Sequence, residues 1–224
     1  MSIESRFIRN IGVINEHGQE LLNKSRVFIA GCGGIGGYII EHLVRMGVGH
    51  IICADNGQFE PSNLNRQILA DINTLGRNKA DCARERAMQI NPEANIISKN
   101  VHLDETSLPD LICGCDLAID ALDSAKTRRT LFNACKEQNI PVIHAAIRGW
   151  TVQAAFVPPE SNLYNLLYPE DSQAAQPSGV MSFAPGFAAS IQAAFAVKHL
   201  CGCPCDTDLH IYNMQTMQRS RVQI

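Results

Sequence analysis

Six consecutive residues, Gly31-Cys32-Gly33-Gly34-Ile35-Gly36, follow a short apolar run, Val27-Phe28-Ile29-Ala30, and open a segment with apolar residues at Ile35, Ile39, Leu43 and Met46. Glycines at 31, 33 and 36 permit a tight turn, let the backbone approach a phosphate closely, and let a helix pack on a strand. The N-terminus of that helix offers unpaired N–H groups and a partial positive charge. Asp55 ends the next apolar run, Ile51–Ala54, at the spacing of roughly 20 residues where a carboxylate accepts hydrogen bonds from ribose hydroxyls. Together these features predict a bound nucleotide, but a nicotinamide dinucleotide, a flavin and ATP all satisfy them.

The next charged positions separate those ligands. Arg66, in Ser62-Asn63-Leu64-Asn65-Arg66-Gln67, and Lys79, after Gly76-Arg77-Asn78, could reach one phosphate chain, the first as a fork and the second as a point charge. A triphosphate that is attacked and cleaved needs such neutralisation, and a pyrophosphate that only anchors a hydride carrier needs far less. Asp120-Ala121-Leu122-Asp123 closes a later apolar run and puts a carboxylate at the edge of a parallel sheet where ligands bind. A carboxylate there could hold Mg²⁺, whose usual protein share is one or two carboxylates beside substrate phosphates.

These residues need a scaffold, and the rest of the chain spells one out. Residues 3–24 read as one or two short helices broken at Gly12 and Gly18; strands are expected at 26–30, 49–55, 95–101, 116–120 and 140–145, with helices at 35–46, 79–91 and 125–138 between them. Such alternation predicts an α/β, Rossmann-like fold with a mostly parallel sheet and helices on both faces. Beyond Gly149 the pattern changes: 150–157 reads as a longer, antiparallel strand, 169–182 as an exposed loop, the stretch around Phe187, Ile191 and Phe195 as a helix, and 209–224 as a final hairpin. The expected layout is one domain over 1–224, with a helical arm (1–25), a nucleotide-binding part (26–148) and a sheet-extending part (149–224).

Composition limits the alternatives. Of 224 residues 46% are hydrophobic and 18% charged, with 19 Lys+Arg against 22 Asp+Glu; this is ordinary globular composition without the cationic field that nucleic-acid binding calls for. No apolar run approaches the roughly 20 residues of a membrane span, and the mixed-charge start lacks a signal-peptide layout, so a cytoplasmic location without membrane partners is expected. Most of the nine cysteines are expected to be reduced core thiols.

The set Gly31–Gly36, Ser62–Gln67, Lys79 and Asp120–Asp123, with Asn91-Pro92 closing a helix, resembles the ThiF/MoeB/HesA family, bacterial relatives of ubiquitin-activating enzymes, from about Arg6 to about Asn213. The resemblance implies MgATP-dependent adenylation of a carboxylate, typically the C-terminal Gly-Gly of a ubiquitin-like sulfur carrier, with pyrophosphate released. It implies Gly34 under the phosphates, Asp55 on the ribose, Asn63, Arg66, Gln67 and Lys79 on the triphosphate and transition state, and Asp123 on Mg²⁺. Arg9 resembles the arginine that reaches into the partner subunit's site, which implies a homodimer.

The chain also departs from that pattern. Leu163-Tyr164-Asn165-Leu166 stands where many relatives have a Cys-x-x-Cys pair, and Cys201, Cys203 and Cys205 lack the usual clip spacing, so a structural zinc is not expected. Segment 169–182 contains no cysteine for covalent transfer, which leaves the adenylate to an external sulfur donor or amine. The alternative substrates are a small-molecule or tRNA-borne carboxylate; an NAD-dependent oxidoreductase and a non-catalytic nucleotide-binding scaffold are the competing classes.

Overall fold

The computed structural model describes residues 4–169 and 179–224. In chain order the elements are α1 (Ile8–Lys24, after a 3-10 turn at Ser5–Phe7), β1 (Arg26–Ala30), α2 (Gly34–Met46), β2 (His50–Ala54), a second 3-10 turn (Pro61–Asn63), α3 (Lys79–Ile90), β3 (Asn95–Lys99), α4 (Leu108–Ile112), β4 (Leu117–Asp120), α5 (Ala125–Glu137), β5 (Val142–Arg148), β6 (Thr151–Val157), α6 (Leu163–Leu167), α7 (Phe183–Leu200), β7 (Leu209–Asn213) and β8 (Gln218–Val222).

The eight strands form one sheet in the order β3-β2-β1-β4-β5-β6-β7-β8. β1 to β5 are parallel and β6, β7 and β8 add on antiparallel. The parallel strands are apolar because both faces are covered. One core gathers Val27, Ile29, Ile39, Leu43 and Phe195 from the side of α2, α3 and α7; the other gathers Phe28, Leu108, Leu131, Phe132 and Tyr164 from the side of α4, α5 and α6. Chain order reverses between β1 and β4, and at such a switch point the connections after the two strands diverge and leave a crevice at their carboxyl ends. Both Gly31 and Ala121 lie there, with Ala121 N–H donating to Ala30 O at 3.0 Å.

The expected fold class and most boundaries match these elements. The arm differs: α1 is interrupted at Asn15 (φ 54°, ψ 179°), not at Gly12 or Gly18. Asparagine tolerates positive φ, and Asn15 Oδ1 accepts from Gly18 N–H at 3.0 Å, capping the second helical stretch. Gly18 serves packing, since a β-carbon there would lie 3.3 Å from Cys201 Sγ. β5 begins at Val142 and runs on to Arg148, because Pro141 has no N–H to contribute while β6 supplies antiparallel partners as far as Arg148 opposite Thr151. Helices α4 and α6 were not foreseen; five residues each is too short for a helical period to show. Of the expected loop at 169–182, residues 170–178 lie outside the described residues.

Candidate active site

The turn after β1 is built by steric exclusion. Gly31 has φ +93°, and a β-carbon on it would lie 2.8 Å from Ala121 O; a β-carbon on Gly36 would collide with Gly31 O. Only glycine lets β1, α2 and the turn after β4 approach this closely. Gly33 is the N-cap of α2 and brings no side chain, and the first helical bond across the turn is Gly37 N–H to Gly33 O. The N–H groups of Gly34, Ile35 and Gly36 are therefore left without helical acceptors, at the positive end of a helix dipole.

Asp55 sits beside that turn at the end of β2. Its Oδ2 accepts from Cys32 N–H (2.8 Å) and its Oδ1 from Gly57 N–H (2.7 Å). A carboxylate has about four lone-pair sites, so capacity remains for a ligand hydroxyl. Lys79 opens α3 behind the N-cap Asn78, whose amide ties to Asp55 O and Gly57 O. A β-carbon on Gly57 would lie 3.0 Å from Asp55 Oδ1 and 3.5 Å from Lys79 Nζ, so the absence of a side chain there keeps carboxylate and ammonium unobstructed.

The segment 61–67 closes the opposite side. Asn63 is buried and its Oδ1 accepts from Glu60 N–H (3.1 Å), fixing the 3-10 turn. Arg66 donates through Nη1 to Ser62 O (2.8 Å) and Asn65 Oδ1 (2.9 Å). Gln67 is buried against the glycine turn, with its Nε2 3.5 Å from where a Gly33 β-carbon would be. Its Oε1 is one of two buried side-chain polar atoms without a partner among the described residues, an acceptor aimed at the turn.

Beyond β4 the two aspartates of Asp120–Asp123 have opposite surroundings. Asp123 is exposed. Asp120 is fully buried: its Oδ2 accepts from Arg128 Nη1 (2.7 Å), Tyr164 OH (2.8 Å) and His144 Nδ1–H (3.1 Å), and its Oδ1 from Leu122 N–H (3.1 Å). Burial pushes the Asp120 carboxyl up, but the Arg128 guanidinium and the bonds from His144 and Tyr164 outweigh it and hold it below the usual carboxylate value. Burial likewise lowers His144 against the pull of Asp120, leaving the imidazole neutral; its Nε2 then accepts from Gln153 Nε2 at 3.2 Å. Gln192 of α7 donates to Asp120 O and Ile143 O.

The structure thus brings Gly31, Gly33, Gly34, Gly36, Asp55, Gln67 and Lys79 around one helix N-terminus, and places Asn63, Arg66 and Asp123 on adjoining turns. Arg9 is not among them. It is exposed near the start of α1, whose neighbours Arg6 and Asn10 bond to Asn91 Oδ1 and Met46 O, just past α3 and at the end of α2. α2 spans 13 residues, so the amino edge lies about 20 Å from the turn. Cys32 is buried, and the neighbouring Cys53 thiol together with burial pushes its pKa well up. All nine cysteines are free thiols. Sequence reasoning missed the buried cluster of Arg128, His144, Tyr164 and Gln192; the available signal was Asp120 itself, a charge ending a strand apolar throughout.

The residues fit a nucleotide: unpaired N–H groups at a side-chain-free helix start, an orphaned Gln67 acceptor, and a carboxylate and ammonium kept open by Gly57. They fit Mg²⁺ through Asp123, since that ion needs few protein carboxylates when phosphates supply the rest. Among the described residues no group of three or more His, Cys, Asp or Glu could hold a metal ion, and no helix is long and apolar enough to cross a membrane.

Comparison with known proteins places this geometry. The ThiF family model matches residues 5–224. The chain is 33% identical to the molybdopterin-synthase adenylyltransferase of Escherichia coli (strain K12), over 90% of this chain and 84% of that protein. It is 31% identical to the SAMP-activating enzyme E1 of Haloferax volcanii, over 84% of this chain and 71% of the relative. Among solved structures, that of E. coli MccB with ATP superposes with a TM-score of 0.84 at 20% identity, covering 99% of this chain and 72% of that one, a likeness of fold. With the glycine turn, the strand-terminal aspartate and the lysine at the next helix start in place, the chain belongs to the ThiF family, and it is an enzyme of the adenylyltransferase type.

Proposed function

We propose that this protein uses MgATP to adenylate a carboxylate, that of the C-terminal Gly-Gly of a small ubiquitin-like sulfur carrier, in cofactor biosynthesis. The observation that carries this reading is the convergence of Lys79 Nζ and Asp55 Oδ1 on Gly57, beside the unpaired N–H groups of α2. Support for the substrate class comes from relatives at 31–33% identity, a molybdopterin-synthase adenylyltransferase, a SAMP-activating enzyme E1 and the sulfur carrier protein ThiS adenylyltransferase of Escherichia coli (strain K12).

In this mechanism Asp55 takes the ribose hydroxyls and Gly34 lies under the phosphates, with the N–H groups of α2 donating to them. The carrier carboxylate is already ionised at neutral pH, so no protein base is needed. A carboxylate oxygen attacks the α-phosphorus; the bond from that phosphorus to the β-phosphate bridging oxygen breaks, and pyrophosphate leaves with the electron pair. Both reactants are anions, so Arg66 and Lys79 offset the repulsion and stabilise the transition state, with Asn63 and Gln67 orienting the chain of phosphates. Mg²⁺ held by Asp123 would supply further charge neutralisation. The sulfur of an external donor, or an amine, then attacks the acyl carbon of the adenylate, the bond from that carbon to the phosphate oxygen breaks, and AMP leaves with the electron pair.

Arg9 completes the site from a second copy. Its place at the amino edge of its own sheet supports this reading, and Ile8 (60% exposed) and Val13 (87% exposed) near it offer apolar surface for a homodimer interface. Residues 149–224 provide the carrier platform: the Trp150 and Phe183 rings meet at a tilt with centroids 5.8 Å apart and those of Phe187 and Tyr212 edge to face at 5.2 Å, with Arg148 exposed at the end of β5. The test is ATP–pyrophosphate exchange with Mg²⁺ and a panel of Gly-Gly-ending carriers. Exchange that depends on one carrier supports the reading; ATP binding with no exchange for any carrier overturns the carrier assignment. Mixing equal amounts of Arg9→Ala and Lys79→Ala proteins, each inactive, restores about a quarter of wild-type exchange if symmetric dimers re-form at random; no recovery from re-formed dimers refutes the action in trans.

A further inference from the structure

The buried cluster around Asp120 takes no part in the chemistry above, yet among the described residues its carboxylate accepts four hydrogen bonds, from Arg128, Tyr164, His144 and the Leu122 N–H. Arg128, in the first turns of α5, is 5% exposed and donates through Nη1 to Asp120 Oδ2 and Ala145 O and through Nη2 to Leu122 O. Asp120 Oδ1 takes the N–H of that same Leu122. Both polar groups of the Leu122 backbone are thus held by one buried ion pair, and the next residue is Asp123. On its far side Ser124 caps α5, its Oγ accepting from Thr127 N–H at 3.4 Å. Asp123 is therefore the single residue between two fixed points, and its carboxylate makes no hydrogen bond among the described residues.

An ion pair this deep is a poor way to gain stability, because desolvation offsets most of the attraction. Its geometry has a local result instead: the turn that carries Asp123 has its backbone conformation set before any ligand arrives, which is what an electrostatic site requires. The cluster ties in more distant elements. Tyr168, at the end of α6, lies over the Arg128 guanidinium at 5.6 Å and its OH reaches His144 Nε2 at 3.5 Å; Tyr164 bonds Asp120 and stacks on Phe132 of α5 at 4.6 Å.

We infer that Arg128 is a positioning residue which, through Asp120 and the Leu122 backbone, aims Asp123 at a divalent cation. This rests on the reading of Asp123 as the Mg²⁺ carboxylate. Removal of the groups that orient a metal ligand costs about 10- to 100-fold in metal affinity or activity, and Arg128→Lys, which keeps the charge but loses the fork, falls in that range.

The experiment measures the Mg²⁺ concentration giving half of the ATP-dependent rise in Tm, alongside exchange kinetics, for wild type, Arg128→Lys, Tyr164→Phe and Asp123→Ala. The expected result is a midpoint raised about 10-fold or more in Arg128→Lys, with exchange recovering at high Mg²⁺ and the KM for the carrier unchanged. Tyr164→Phe removes one bond to Asp120 at nearly constant volume and shifts the midpoint the same way by less; if Arg128→Lys does not fold, this variant alone decides, a shift upholding the inference and no shift overturning it. A folded Arg128→Lys protein with the wild-type midpoint, or with a loss of kcat that Mg²⁺ does not restore, overturns the inference while leaving Asp123 in place. A wild-type midpoint in Asp123→Ala overturns the Asp123 reading and this inference with it.

Discussion

Asp55 and Asp120 stand at the carboxyl ends of β2 and β4, the two strands that flank β1. Local sequence describes them alike, as an acidic residue closing an apolar run. Asp55 is half-buried, bonded by two backbone N–H groups from its own turns, with an ammonium nearby and no guanidinium bonded to it. Asp120 is fully buried and takes side-chain donors from α5, β5 and α6. The first has acceptor capacity to spare and faces a helix N-terminus; the second has spent its capacity inside the protein. What separates a ligand-facing carboxylate from an architectural one is therefore how many distant elements have already claimed it.

The largest expected effect breaks the architectural side. Asp120→Ala leaves Arg128 buried without its counter-charge and should destabilise the fold by about 3–5 kcal/mol, read by denaturant unfolding; a loss below ~1 kcal/mol would equate the two aspartates. On the other side, Lys79→Ala should lower exchange about 10²- to 10³-fold while the melting temperature stays near that of the wild type. A stability loss as large as its activity loss would make Lys79 structural.

The two regions should also part in their response to pH. His144 is neutral in the fold and its pKa is depressed, chiefly by burial, so it contributes stability above the ordinary histidine value of about 6.5. That contribution is lost as pH falls, because the unfolded chain binds a proton that the native site refuses. Asp120, also depressed in the fold, adds a further loss below the ordinary aspartate value of about 3.9. Unfolding free energy should thus fall with acidification below about 6.5, and His144→Gln should flatten that slope; an unchanged slope would show that another group carries it. The smallest effect sharpens the boundary of the Asp123 turn: Ser124→Ala removes the α5 cap at a cost of ~1 kcal/mol, by thermal melting.

The inner part of the parallel half was legible because its strands are covered on both faces and read as apolar runs, such as Val27–Ala30, while the longer helices α2 and α5 carry a helical period. The glycine turn was legible because steric exclusion at Gly31 and Gly36 leaves only one residue type. Asn15 was not, since Gly12 and Gly18 are the stronger local breakers, and only the fold shows that Gly18 is kept for its closeness to Ile14 and Cys201 while Asn15 caps the stretch that contains it. The Asp120 cluster was hidden for a different reason: Arg128, His144, Tyr164 and Gln192 lie on four elements that only the folded sheet brings together. Arg9 entered through resemblance alone, and the structure places it at the amino edge of the sheet, away from the glycine turn of its own chain.

The most direct test of the central claim is ATP–pyrophosphate exchange by the wild-type protein with Mg²⁺ and a Gly-Gly-ending carrier, measured beside Asp55→Asn. Asp55→Asn keeps the side-chain volume and one backbone acceptor but loses the charge that the Cys32 and Gly57 N–H groups and the ribose share. The account predicts carrier-dependent exchange in the wild type, and a folded Asp55→Asn protein with a raised KM for ATP and markedly lower exchange. An Asp55→Asn protein that exchanges with wild-type kcat and KM would contradict the placement of the nucleotide at the glycine turn.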